Sequence, residues 1–138
     1  MKRTLVAALL GVIALTGLVR AIPQQKEKEE PLDPRILAYD KGPDKINVSK
    51  YPPDMQAKYK IFAKKCVNCH TLARPINSEF VLDDEWERYV KRMMRKAGTL
   101  ISADDAKQIF EFVTYDSKIR KKALYEKKLA NPPKEPGL

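Results

Sequence analysis

The sequence predicts an all-α protein, and three observations lead there. Only five glycines occur in 138 residues, and β-branched runs are few, which disfavours a sheet. No stretch alternates apolar and polar residues as a half-buried strand does. Apolar residues instead recur at helical spacing in three segments, each opened by a start signal. The length fits one domain. Hydrophobic residues make up 43% and charged residues 33%, so the core is small, and the net charge of +9 favours an acidic partner or surface.

The N-terminus, residues 1–21, reads as a secretory signal: basic "MKR", the uncharged run "TLVAALLGVIALTGLV", then "VRA" with cleavage after Ala21. The rival reading is an uncleaved anchor. This uncharged run of 16 residues falls short of the roughly 20 that span a bilayer, although Arg20 can snorkel and lengthen the span. Either reading places the remainder outside the cytoplasm, in the periplasm. Cleavage removes Lys2, Arg3 and Arg20 but no acid, so the basic character belongs to the mature chain. Export also disfavours nucleic acid as its target.

Residues 22–53 contain six prolines and read as an extended or turn-rich arm. Ile36, Leu37, Tyr39, Ile46, Val48 and Tyr51 leave two options for its second half: a strap lying on the domain over 35–52, or a tether. The domain proper is expected over 54–116. Its first helix starts at Asp54 and puts Tyr59, Phe62, Ala63 and Cys66 on one face. A second starts near Asp84, with Glu87 completing a capping box, and stops at Gly98. A third starts at Ser102 with Asp105 three residues on, and Ala106, Ile109, Phe110 and Val113 form its buried stripe. The basic tail 117–138 is expected to stay helical to about Ala130, where "NPPKEPG" ends it.

Both cysteines and the only histidine fall within "CVNCH": Cys66, Cys69 and His70. At i, i+3 and i+4 on a helix end they share a face. Two thiols reach two vinyl groups of a porphyrin and the imidazole turns toward its iron, and C-x-x-C-H is the signature of covalent haem attachment. A zinc site wants four ligands, more Cys and His than the chain owns. A dithiol oxidoreductase wants a βαβ context, which is missing. A disulfide between cysteines three apart on a helix closes a strained loop. One haem c is therefore the expected cofactor.

"CVNCH", "WERYVKRM" and "ISADDAKQIFEFV" together resemble a small bacterial monohaem cytochrome c of class I, over about residues 53–116. The resemblance implies a cytochrome c-like three-helix domain around one covalently bound haem, its first and last helices crossing. The glycine often found at that crossing is missing, leaving Ala63 or Ala57 to serve. The Met-bearing loop of the best-known members is replaced here by a helix, an arrangement seen in a bacterial subset with Trp-x6-Met.

His70 being the only histidine, the sixth iron ligand is sought among methionines. Met55 lies on the attachment helix, and Met93 and Met94 on the second. Trp86, Val90 and Met93 stand at i, i+4 and i+7, and the resemblance also places the ligand at the Met of "VKRM", so Met93 is preferred to Met94. The bland alternative is core filling. Arg74 is a candidate propionate partner or a solvent-exposed loop residue. Trp86 is expected to pack on the haem, or else to donate to a propionate. The Pro75 carbonyl is the expected acceptor for the second ring nitrogen of His70.

His/Met ligation favours Fe(II) and suits an electron carrier. With both axial positions filled by protein, the expectation is no enzyme. The alternative is a haem-based sensor or ligand-binding module with a displaceable distal ligand, and a zinc module is a distant third. Three basic groups, Lys58/Lys60/Lys64/Lys65, Lys91/Arg92/Arg95/Lys96 and Lys118/Arg120/Lys121/Lys122, suggest docking to an acidic redox protein or a respiratory or photosynthetic membrane complex. The tail adds possible attraction to anionic lipid.

Overall fold

A computed structural model describes residues 31–132. The segment read as signal or anchor, residues 1–21, lies outside the described residues, as do 22–30 and 133–138. The described chain is all-α, with no strand: α1 (Pro34–Asp40), α2 (Pro53–Cys66), α3 (Ala73–Asn77), α4 (Asp83–Ala97), α5 (Ala103–Arg120) and α6 (Lys122–Ala130), with a short 3-10 turn at Gly98–Leu100. None of these helices is long and apolar enough to cross a membrane.

The three long helices make the core. α5 packs against both α2 and α4. Between α2 and α5, Phe112 is fully buried and its ring centroid lies 5.4 Å from that of Phe62 and 5.3 Å from that of Tyr59. Aromatic rings thus fill this contact, where small residues had been expected; Ala63 is half-buried and Ala57 is exposed. Because α5 is covered on two sides, its buried face is wider than one stripe. Ala106, Ile109 and Val113 are buried as expected, Phe110 only partly, and Phe112 most completely.

The helix ends explain the boundaries. The Ser102 hydroxyl accepts from the Asp105 N–H at 3.1 Å, while the Asp105 carboxylate accepts from the Ser102 N–H at 2.9 Å, a complete capping box. Gly98 ends α4 with φ of 57°, a backbone conformation that glycine adopts without steric cost. The start of α4 differs from expectation. It begins at Asp83, and the buried Glu85 reaches back to the N–H groups of Val81 (2.9 Å) and Leu82 (3.0 Å). Asp84 and Glu87 instead pair along the exposed face with Arg88 and Lys91.

The proline-rich segment also departs from a purely extended reading. Asp33 accepts from the Arg35 N–H at 2.8 Å and Pro34 takes the first helical position, where its missing N–H costs nothing, so α1 forms. The strap then lies on the domain. Ile46 is buried, its N–H donating to the Tyr59 hydroxyl at 3.2 Å, and Tyr51 reaches Asp116 at 3.0 Å. The helical tail breaks once, at Lys121, before α6 ends at Ala130.

Candidate functional site

Cys66 is the last residue of α2. The Asn68 side chain turns back to the carbonyls of Lys64 (3.4 Å) and Lys65 (3.0 Å), satisfying helix-end acceptors as the chain leaves the helix. Residues 67–69 are therefore a turn rather than more helix, and the turn separates the two thiols. Cys66 is partly buried and Cys69 exposed, and neither is in a disulfide. The α2 end is anchored to α5 by Lys65, which pairs with Asp105 at 2.8 Å and donates to the Leu100 carbonyl at 3.1 Å. That lysine is the main reason the Asp105 carboxyl is pulled down to about 2.

His70 follows the turn. Its Nδ1 lies 2.9 Å from the Thr71 carbonyl oxygen. A carbonyl only accepts, so Nδ1 carries the hydrogen, and in the neutral ring Nε2 presents a lone pair. The Tyr89 hydroxyl stands 3.3 Å from Nε2 and is placed to donate to it. Burial, first of all, holds the Tyr89 phenol far above its usual range, so it keeps its proton. The Pro75 carbonyl expected as the His70 acceptor instead takes the Ser78 hydroxyl at 2.9 Å.

A narrow apolar cavity, with room for about one water molecule, lies between α2, α4 and α5 and is lined by Phe62, Cys66, Trp86, Tyr89, Val90 and Met93 among others. Cys66 and Met93 thus face one space, while Met94 only packs at the edge of the core. Cys69 and His70 line an open groove with Asp44, Val67 and Leu72. Burial, and then the neighbouring Cys69, push the Cys66 thiol up to about 12. It stays protonated, the opposite of the lowered thiol that a dithiol oxidoreductase uses. Among the described residues, no three His, Cys, Asp or Glu side chains converge as a metal-ligand set.

The donors suit a haem: two unpaired thiols, an imidazole in the tautomer that leaves Nε2 bare, and a thioether on the same apolar cavity as one thiol. Tyr89 fills the space next to Nε2 and the donors face two separate spaces, the cavity at Cys66 and Met93 and the groove at Cys69 and His70, so accommodation requires Tyr89 and the cavity walls to part. The other two candidates are engaged elsewhere. Arg74 is neither free nor solvent-exposed: Asp40 binds it through Nε (3.1 Å) and Nη2 (2.6 Å). Those bonds, first of all, hold the Asp40 carboxyl below its ordinary range. Trp86 is buried and lines the cavity, but its indole N–H donates to the Ser117 hydroxyl at 2.8 Å.

The cations divide into bound and unbound. Lys58 pairs with Glu111 at 2.9 Å, Lys91 with Glu87 at 2.6 Å, Lys118 with Asp83 at 3.2 Å and Arg120 with Asp116 at 2.7 Å. Lys121, expected on a docking surface, is a structural residue, its ammonium donating to the Ser78 carbonyl at 2.6 Å. Lys60, Lys64, Arg95 and Lys96 are exposed and have no carboxylate partner among the described residues.

Tyr89 and Asp40 are the neighbours that sequence reasoning missed. Tyr89 carries a signal, lying three residues after Trp86 and four before Met93 on one helix face. Asp40 carries none, since 30 residues separate it from His70. No protein-family model, no curated protein and no solved structure matches this chain.

Proposed function

We propose that the chain is an exported electron-transfer cytochrome of the c type, carrying one haem on Cys66 and Cys69 with His70 and Met93 as axial ligands. The observation that supports this most is the concentration of the chain's reactive residues at one turn. Cys66 ends α2 and Cys69 and His70 follow in the next turn, the imidazole leaves Nε2 unprotonated, and Met93 lines the apolar cavity that Cys66 also lines. When bound, such a haem supplies a one-electron couple, and a thioether ligand favours its reduced form.

The protein's own part is to hold and to insulate. Thr71 and Tyr89 hold the two ring nitrogens of the imidazole, Phe62, Val90 and Trp86 give the cavity an apolar lining, and Ser117 fixes the indole of Trp86. Protein donors on both axial positions leave no room for a substrate, hence a carrier and not an enzyme. The exposed cations Lys60, Lys64, Arg95 and Lys96 favour an acidic partner, a redox protein or a membrane complex of respiratory or photosynthetic type, and charge complementarity there acts mainly on the association rate.

Expression in a host with periplasmic haem-attachment machinery tests the reading. The protein should stay red through denaturation and acid–acetone extraction, with one haem added to its mass, and Cys66→Ala or Cys69→Ala should weaken retention. Met93→Ala should abolish the weak far-red band of Fe(III)–thioether coordination, while Met94→Ala should leave it. A colourless zinc-containing product overturns the proposal. Rapid CO binding to the reduced wild type replaces the carrier with a haem-based sensor.

A further inference from the structure

A link runs from α1 to the turn that carries His70. The Asp40 carboxylate accepts from the Thr71 hydroxyl at 2.9 Å, and from Arg74 through Nε and Nη2. The Thr71 carbonyl, in turn, accepts from His70 Nδ1 at 2.9 Å. Residues 71 and 72 belong to no helix, lying between the turn at 67–69 and α3. The Thr71 carbonyl also accepts from the Arg74 backbone N–H, a long bond at 3.3 Å. Its orientation is further set by what grips the side chains of Thr71 and Arg74, and both grips come from Asp40 at the end of α1.

α1 is itself held firmly enough to serve as an anchor. The Asn77 amide on α3 donates to the carbonyls of Tyr39 (3.1 Å) and Pro43 (3.0 Å), binding both sides of the turn that follows α1. Gly42 sits against this amide so closely that any Cβ there would overlap the Asn77 side chain. The segment before α2 is thus built into the surroundings of His70.

On the reading that His70 binds haem iron, we propose that Asp40 is a positioning residue for it, acting through Thr71. The acceptor on Nδ1 fixes which nitrogen is bare and how the ring is turned, and it raises the basicity of Nε2. A loosened Thr71 carbonyl releases both constraints. The rival role for Asp40 is to dock α1 onto α3 through Arg74 and nothing more.

Thr71→Val separates the two roles, because it cuts the link to Asp40 and leaves the Asp40–Arg74 pair in place. The chain has one histidine, so its ring nitrogens can be read without assignment ambiguity in ¹⁵N-histidine-labelled, haem-free protein at a pH where the ring is neutral. The wild type should show Nδ1 protonated. In Thr71→Val and Asp40→Asn the ratio of the Nδ1–H to the Nε2–H tautomer should fall about two- to tenfold, the range a single net hydrogen bond commands. Thr71→Ser should restore the wild-type ratio. In haem-loaded protein the same two variants should raise the reduction potential, since a weaker bond to Nδ1–H leaves a poorer donor at Nε2. A tautomer ratio unchanged in Thr71→Val overturns the proposal and leaves Asp40 a docking residue. Failure of the wild type to take haem overturns the functional reading instead, while the NMR arm still decides on Asp40.

Discussion

The two sides of α5 are built on opposite principles. At the centre of its contact with α2 it presents Phe112 to Phe62 and Tyr59, rings whose one polar atom, the Tyr59 hydroxyl, accepts from the Ile46 N–H, while the ion pairs Lys58–Glu111 and Lys65–Asp105 lie outside the rings. At its other end, where it meets α4 and α6, the contact is a polar mesh. Glu85 binds Lys128 at 2.6 Å, Ser117 holds Trp86, and Asp116 holds Arg120 and Tyr51. The mesh surrounds the irregular segment 78–82, whose backbone groups have no helix to pair with. Lys121 and Lys128 donate to its carbonyls and Glu85 accepts from its N–H groups. Buried backbone groups must be paired somewhere, so a loop crossing a small core draws charged side chains inward. The ring contact supplies transfer free energy; the mesh mainly avoids a penalty.

That difference can be broken from the apolar side first. Phe112→Ala removes a fully buried ring and should cost about 3–5 kcal/mol, read as the shift in urea midpoint at constant slope. A loss below about 2 kcal/mol would mean that Tyr59 and Phe62 collapse into the space, and the contact would then be softer than its geometry implies.

The polar side should yield less. Glu85 is 4% exposed and serves two backbone N–H groups and one ammonium. Glu85→Gln keeps one acceptor oxygen in place but leaves Lys128 without an anion, so the expected loss is about 1–3 kcal/mol. A loss equal to that of Phe112→Ala would show that the mesh is cohesive in its own right.

The same contrast decides what could be read from the sequence. α2, the Ser102/Asp105 box and the Gly98 stop are legible because each is a local pattern, α2 from its apolar period and its proline start and the other two from their caps. Phe112 was passed over because a single-stripe rule assumes one buried face, and α5 has two. α1 was missed because proline density outweighed Asp33–Pro34, itself a helix-start signal. A rule that expects the cap from the side chain before the helix misplaces the start of α4, where Glu85 reaches back from within the helix. At the candidate site, the cluster at 66–70 and Met93 announce themselves by residue type. Tyr89 and Asp40 do not, since their roles come from contacts made by folding. Long-range polar contacts leave no period in a sequence, and much of the mesh consists of them.

Lys121 gives the smallest effect and the sharpest distinction, because only the polar side can respond to pH near neutrality through a lysine. Burial, then the nearby Arg120 and Lys128 charges, push its ammonium down to about 7, while Asp116 and Glu85 pull the other way. A lysine whose folded value is depressed binds fewer protons folded than unfolded between that value and the ordinary one near 10.5. Stability therefore rises with pH across that window, and below it the cost of burying the charge is borne in full. One proton is worth at most about 1.4 kcal/mol per pH unit. The short bond to the Ser78 carbonyl favours the charged form and reduces this, so the wild type should gain about 1 kcal/mol or less from pH 6 to pH 8 through this residue. Lys121→Met should lose that part of the slope, whatever its absolute stability, because groups titrating elsewhere contribute equally to both proteins. Phe112→Leu, on the apolar side, should keep the wild-type slope. Parallel pH profiles for wild type and Lys121→Met would mean that the ammonium stays fully charged through pH 8, held by its carbonyls. The mesh would then be as insensitive to pH as the rings across the helix.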